Sequence, residues 1–87
     1  MKMIIAILRD EDVDAIVHGL TAEDFRVTRV ASTGGFFRRG STTLLLGVEK
    51  ERVDAGIEII RTQLPPNLTQ EKRATVFVVP IDRFERI

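Results

Sequence analysis

The chain reads as alternating short apolar runs and helical stripes. Met3 to Leu8 is a continuous apolar run closed by charges, which predicts a central strand covered on at least one face. Val13, Ile16, Val17 and Leu20 then recur at i, i+3, i+4 and i+7, one apolar stripe of a helix. Asp10 is its expected cap, Glu11 and Asp12 suit the positive end of its dipole, and Thr21 to Asp24 ends or closely follows it. Phe25 to Ser32, rich in Val and Thr, predicts a second strand. Thr42 to Val48 predicts a third, with Gly47 near its end marking a bulge or a close approach of another group. A second helix is expected from Glu49 onward, its first turn again acidic. Val53, Ile57, Ile60 and Leu64 form its stripe, Ile59 widens it, and Pro65 and Pro66 stop it. Asn67 to Arg73 reads as a polar loop and Ala74 to Pro80 as a fourth strand. In the tail, Ile81, Phe84 and Ile87 fit one turn of helix docked on a surface.

The order βαββαβ, with short connections and right-handed crossovers, leads to an α+β ferredoxin-like sandwich: a four-stranded antiparallel sheet with two helices on one face. At 87 residues this is a single domain spanning 1–87. The first, third and fourth strands carry consecutive apolar residues, so both faces of the sheet are hydrophobic. Two helices cover only one of them. The other face predicts an oligomer.

Composition narrows the function. Thirteen basic and thirteen acidic side chains give zero formal charge, which disfavours a general DNA or RNA binder. The balance is local, however: between Phe25 and Leu46 there are four arginines and no acidic residue. With no cysteine there is no disulfide framework and no thiolate chemistry. The opening apolar run is too short to span a bilayer and no small-residue cleavage site follows it, so a soluble, cytoplasmic protein is expected.

Catalysis finds little support. His18 is the single histidine and falls off the apolar stripe, where it reads as a surface residue; a zinc site would need three or four ligands. The carboxylates of Asp10, Glu11, Asp12 and Asp14 sit at a helix start, where dipole complementarity accounts for them. Gly34, Gly35 and Gly40 match neither a P-loop nor a dinucleotide fingerprint. No catalytic residue, metal or cofactor is expected.

Binding is better supported. Glycines at 34, 35 and 40 permit positive φ and expose N–H groups, and Phe36 and Phe37 stand beside Arg38 and Arg39, with Arg26 and Arg29 ahead of them. Guanidiniums can hold phosphate oxygens and a phenylalanine ring can stack on a purine. Thr28, Ser41 and Thr42 can offer hydroxyls to a base or ribose edge. The same residues equally suit a plain hairpin, with threonines as strand formers and phenylalanines in the core.

Three segments together resemble the PII-like cyclic-di-AMP receptor family: MKMIIAI at the start, DFRVTRVASTGGFFRRGSTTLLLGVE in the middle and ATVFVVPIDRF near the end. The resemblance implies a homotrimer whose sheets face one another around the three-fold axis. It also implies cyclic di-AMP, or a related adenine nucleotide, in the clefts between subunits. By matching position, Arg26 and Thr28 would face the ligand from the second strand, Gly35 and Phe36 would supply loop backbone and ring, Gly47 would permit close approach, and Phe77 would wall the pocket. Phe37 replaces the family's leucine, Ser41 its asparagine and Asp24 another asparagine. The family's long insertion before the last strand is here the short run from Pro65 to Arg73. Such proteins are signal receptors that meet a downstream protein partner. The alternative is a trimeric structural or protein-interaction module that no longer binds nucleotide.

Overall fold

The apolar run that opens the chain becomes the middle of a sheet. A computed structural model describes residues 1–30, 40–65 and 73–87. Its elements are β1 (Lys2–Arg9), α1 (Asp10–Ala22), β2 (Thr28–Val30), β3 (Ser41–Val48), a 3-10 turn at Lys50–Arg52, α2 (Val53–Gln63) and β4 (Ala74–Pro80). The strands form one antiparallel sheet in the order β2-β3-β1-β4. With two helices packed on it, this is the ferredoxin-like α+β arrangement.

Strand alternation sorts the apolar residues into two sets. Ile4, Ala6 and Leu8 of β1 are buried, as are Leu44, Leu46 and Val48 of β3. They join Val13, Ile16 and Leu20 of α1, Ile60 of α2 and Phe25 in one core. Gly56 lets α2 approach closely: a Cβ there would lie 3.1 Å from Ile4 Cδ1 and 3.3 Å from Phe25 Cε1. The other set, Met3, Ile5, Ile7, Leu45, Phe77 and Val79, points away from the helices. None of these is buried, and Phe77 is 51% exposed.

Several details differ from expectation, each for a physical reason. Arg9, not Asp10, holds the N-cap position of α1, and no side chain caps it; Asp10 is the first helical residue and its carboxylate is engaged elsewhere. The helical segment from Glu49 begins as a 3-10 turn before α2 proper. Phe25 is not in a strand. Its ring is buried beneath Arg52, whose guanidinium lies 4.0 Å from the ring centroid while Nη2 donates to the Glu23 carbonyl. That clamp holds the chain in a turn there, so β2 starts only at Thr28 among the described residues. The tail from Ile81 forms no helix. Its Ile81 N–H donates to the Met1 carbonyl, while Phe84 and Ile87 are exposed.

Candidate functional site

The register lays out the uncovered face as rows running across the sheet. Thr28 pairs with Leu45, Leu45 with Ile5, and Ile5 with Phe77. Directly opposed residues in antiparallel strands point to the same side, so these four form one continuous row. Neighbouring strands lie about 4.8 Å apart, which puts Thr28 and Phe77 roughly 14 Å from each other, at opposite edges. Val30, Thr43, Ile7 and Thr75 make a second row toward the end where β1 finishes.

The site residues expected from sequence thus divide between the β2–β3 side of the sheet and the β4 edge. Thr28, exposed, stands at the β2 edge. Arg26 is also exposed but precedes β2 instead of lying within it, contrary to expectation, because the Phe25 clamp keeps that stretch out of the sheet. Gly47 ends its row against Met3, and an added Cβ there would find only Met1 Sδ, at 4.0 Å. Continued two residues beyond its last pair, the β2–β3 register would set residue 26 across from Gly47. Ser41 opens β3, half-buried opposite Arg9. Phe77 stands alone at the far edge, on β4. Gly35, Phe36 and Phe37, with Arg38 and Arg39, lie outside the described residues.

Thr42 and Arg29, grouped with these residues in the sequence, belong to the other side. Thr42 shares the helix side with Leu8, and its Oγ1 donates to Asp10 Oδ1 at 2.5 Å. Arg29 alternates away from Thr28 and donates from Nη2 to Asp14 Oδ1 at 2.9 Å. Neither hydroxyl nor guanidinium faces the row that carries Thr28. Gly40 does take a left-handed conformation, with φ of 83°, as its place in a turn requires.

The acidic start of α1 is more than a dipole match. Asp12 is 6% exposed and takes a two-point contact from Arg73, Nε to Oδ2 at 3.2 Å and Nη2 to Oδ1 at 3.0 Å, while Glu11 accepts from the same Nη2 at 3.2 Å. The hydrogen bond to Asp12, then the charges of Asp12 and Glu11, raise the Arg73 pKa against the opposing effect of burial. A raised cationic pKa contributes stability that is complete below its unfolded value and lost only in strong alkali, so this group tunes nothing near neutrality. Sequence reading missed the pair because sixty-one residues separate its members. His18 is exposed, and no group of potential metal ligands occurs among the described residues. No helix among them is long and apolar enough to cross a membrane.

Known proteins are similar to this chain in sequence and in fold. The profile of a family described as cyclic-di-AMP receptor matches residues 1–65. A solved structure, titled as the crystal structure of a functionally unknown protein from Pediococcus pentosaceus ATCC 25745, superposes with a TM-score of 0.79 at 36% identity. The alignment covers 99% of this chain and 96% of that one.

Proposed function

The chain belongs to the cyclic-di-AMP receptor family, and from that premise we propose that it binds cyclic di-AMP, or a related adenine nucleotide, in clefts between the subunits of a homotrimer. The observation that carries the reading is the row from Thr28 to Phe77. Its two ends lie too far apart for one adenine to touch both within a single chain. They meet only if the β2 edge of one copy approaches the β4 edge of the next. A head-to-tail contact of that kind closes into a ring when the rotation fits, and three copies is the closure that the family resemblance implies. The same packing removes Met3, Ile5, Ile7, Leu45, Phe77 and Val79 from water, each such side chain worth roughly 1.5–3 kcal/mol when fully buried.

In this arrangement Arg26 holds phosphate oxygen, Thr28 and Ser41 offer hydroxyls, and the bare backbone at Gly47 gives room for the ligand. Phe77 closes the pocket from the neighbouring copy. Gly35, Phe36 and Phe37 complete it by backbone and ring. The protein acts as a receptor that passes its state to a protein partner, by binding and not by turnover.

Titration calorimetry with cyclic di-AMP, ATP and cyclic di-GMP tests this. The expected result is micromolar binding of cyclic di-AMP near one ligand per subunit. ATP binding instead would change the ligand and keep the pocket. No heat from any of the three at millimolar concentration would leave a trimeric scaffold without a nucleotide site.

A further inference from the structure

Three aspartates at alternate positions of the first turns of α1 each fasten a different strand. Asp10 holds the start of β3 at two points: its N–H donates to the Gly40 carbonyl at 2.8 Å, and its Oδ1 accepts from Thr42 Oγ1 at 2.5 Å. Asp14 accepts from Arg29 of β2 at 2.9 Å. Asp12 takes Arg73, the residue just before β4. All three attachments lie at the end of the sheet where β1 stops, since Arg9 pairs with Ser41 and Leu8 with Ala74. Helix-dipole complementarity explains acidic residues at this position but requires no partner for any of them. That each has a partner on or beside a separate strand needs another reason.

We propose that Asp10 is a positioning residue for the nucleotide site. It grips residues 40 and 42, so Ser41 between them is held from both sides, facing the uncovered face while Thr42 is turned toward the helix. Asp14 performs the weaker part of the same task on β2, through an ion pair with 92% exposure at the carboxylate. The acidic turn thereby fixes to α1 the two strands from which Thr28 and Ser41 project. Asp10 itself touches no ligand; its effect reaches the nucleotide through β3. The role rests on the nucleotide reading above for its functional readout, and on the clasp alone for its structural one.

The test is calorimetric titration of cyclic di-AMP into the full chain carrying D10A, D10N, T42V or D10A with T42V, each checked for assembly by light scattering. D10A weakens binding about tenfold, the scale of one lost charge-assisted hydrogen bond. D10N keeps both the backbone N–H and a carbonyl acceptor for Thr42, and so recovers most of that loss. T42V added to D10A weakens binding no further, because the two residues act through one contact. Unchanged affinity in D10A, no recovery in D10N, or full additivity with T42V would each overturn the assignment. If the wild-type chain takes no nucleotide, the nucleotide reading fails on that titration. The clasp is then judged by amide exchange of Asp10, whose N–H is protected in the wild type and released in T42V. Equal exchange in both removes the clasp as well.

Discussion

The two faces of the sheet are built from alternate residues of the same strands and have opposite fates. Leu44 and Leu46 of β3 are fully buried under the helices, whereas Leu45 between them faces away and is only partly covered. Ile4 and Ile5 of β1 divide in the same way. Composition does not separate the sets, since both are aliphatic. Position in the register does. One face is satisfied within a single chain, and in the proposed trimer the other is covered by a neighbour. The first measures folding and the second measures assembly, so substitutions on the two faces should produce different kinds of failure.

The largest difference is expected from a buried charge. Leu46→Asp places an unpaired carboxylate in the closed core, a penalty of several kcal/mol against a total stability of about 5–15 kcal/mol. It should leave an unfolded chain by circular dichroism at any concentration. Ile5→Asp puts the same charge on the open face. It should leave a folded monomer, seen as native secondary structure with the mass of one chain in sedimentation equilibrium. A folded Leu46→Asp protein, or an intact trimer of Ile5→Asp, would contradict the division between faces.

Ligand binding sharpens the comparison along the row instead of across the sheet. Arg26→Ala and Phe77→Ala remove groups from opposite edges, and each alone should lower cyclic di-AMP affinity. Mixed and reassembled, the two variants should regain about a quarter of the wild-type sites, because random pairing sets an intact β2 edge beside an intact β4 edge that often. A site contained in one chain would regain none.

Truncations give a smaller and graded contrast. Leu46→Ala should cost about 2–5 kcal/mol in urea unfolding, independent of protein concentration, as a core cavity does. Leu45→Ala should cost under about 1 kcal/mol in dilute solution, and its cost should grow with concentration as the assembled form becomes the reference. Parallel behaviour of the two would mean that the open face stays open in solution.

How much of this was legible beforehand depends on the range of the interaction. The element order βαββαβ, the stripe Val13, Ile16, Leu20 and the bounds of β4 follow from local period, and the structure agrees with them. The uncovered face follows from period as well, because runs such as Met3–Leu8 and Ala74–Pro80 do not alternate. Contacts distant in sequence were invisible. Nothing in the local pattern announces that Arg73 meets Asp12, that Arg52 stacks on Phe25, or that Thr42 turns toward Asp10 while Ser41 does not. Those three contacts account for the main departures: the late start of β2, the place of Arg26 ahead of it, and an acidic turn that serves as an anchor. Arg26, Thr28, Ser41, Gly47 and Phe77 were named from the sequence, but their division between the β2–β3 side of the sheet and the β4 edge required the register.

The smallest expected effect lies in the turn that leads into β2. Asp24 has φ of 64°, a left-handed conformation that costs most residues energy and costs asparagine less. Its N–H donates to the Thr21 carbonyl, and the next N–H, of Phe25, returns to Leu20, so the turn fixes how Arg26 leaves the helix. Asp24→Asn should therefore raise stability by a few tenths of a kcal/mol, about the difference between neighbouring residues in turn preference. Asp24→Gly should do at least as well on backbone grounds alone, less its greater loss of freedom on folding. Thermal unfolding of both variants, with Asp24→Ala as the strained control, orders them. If alanine is tolerated as well as asparagine, the turn adds nothing to the Arg52–Phe25 clamp in holding Arg26 ahead of the strand. Arg52→Ala would then be the variant that releases residues 25–27 to extend β2, lengthening the covered edge and closing the space beside Gly47.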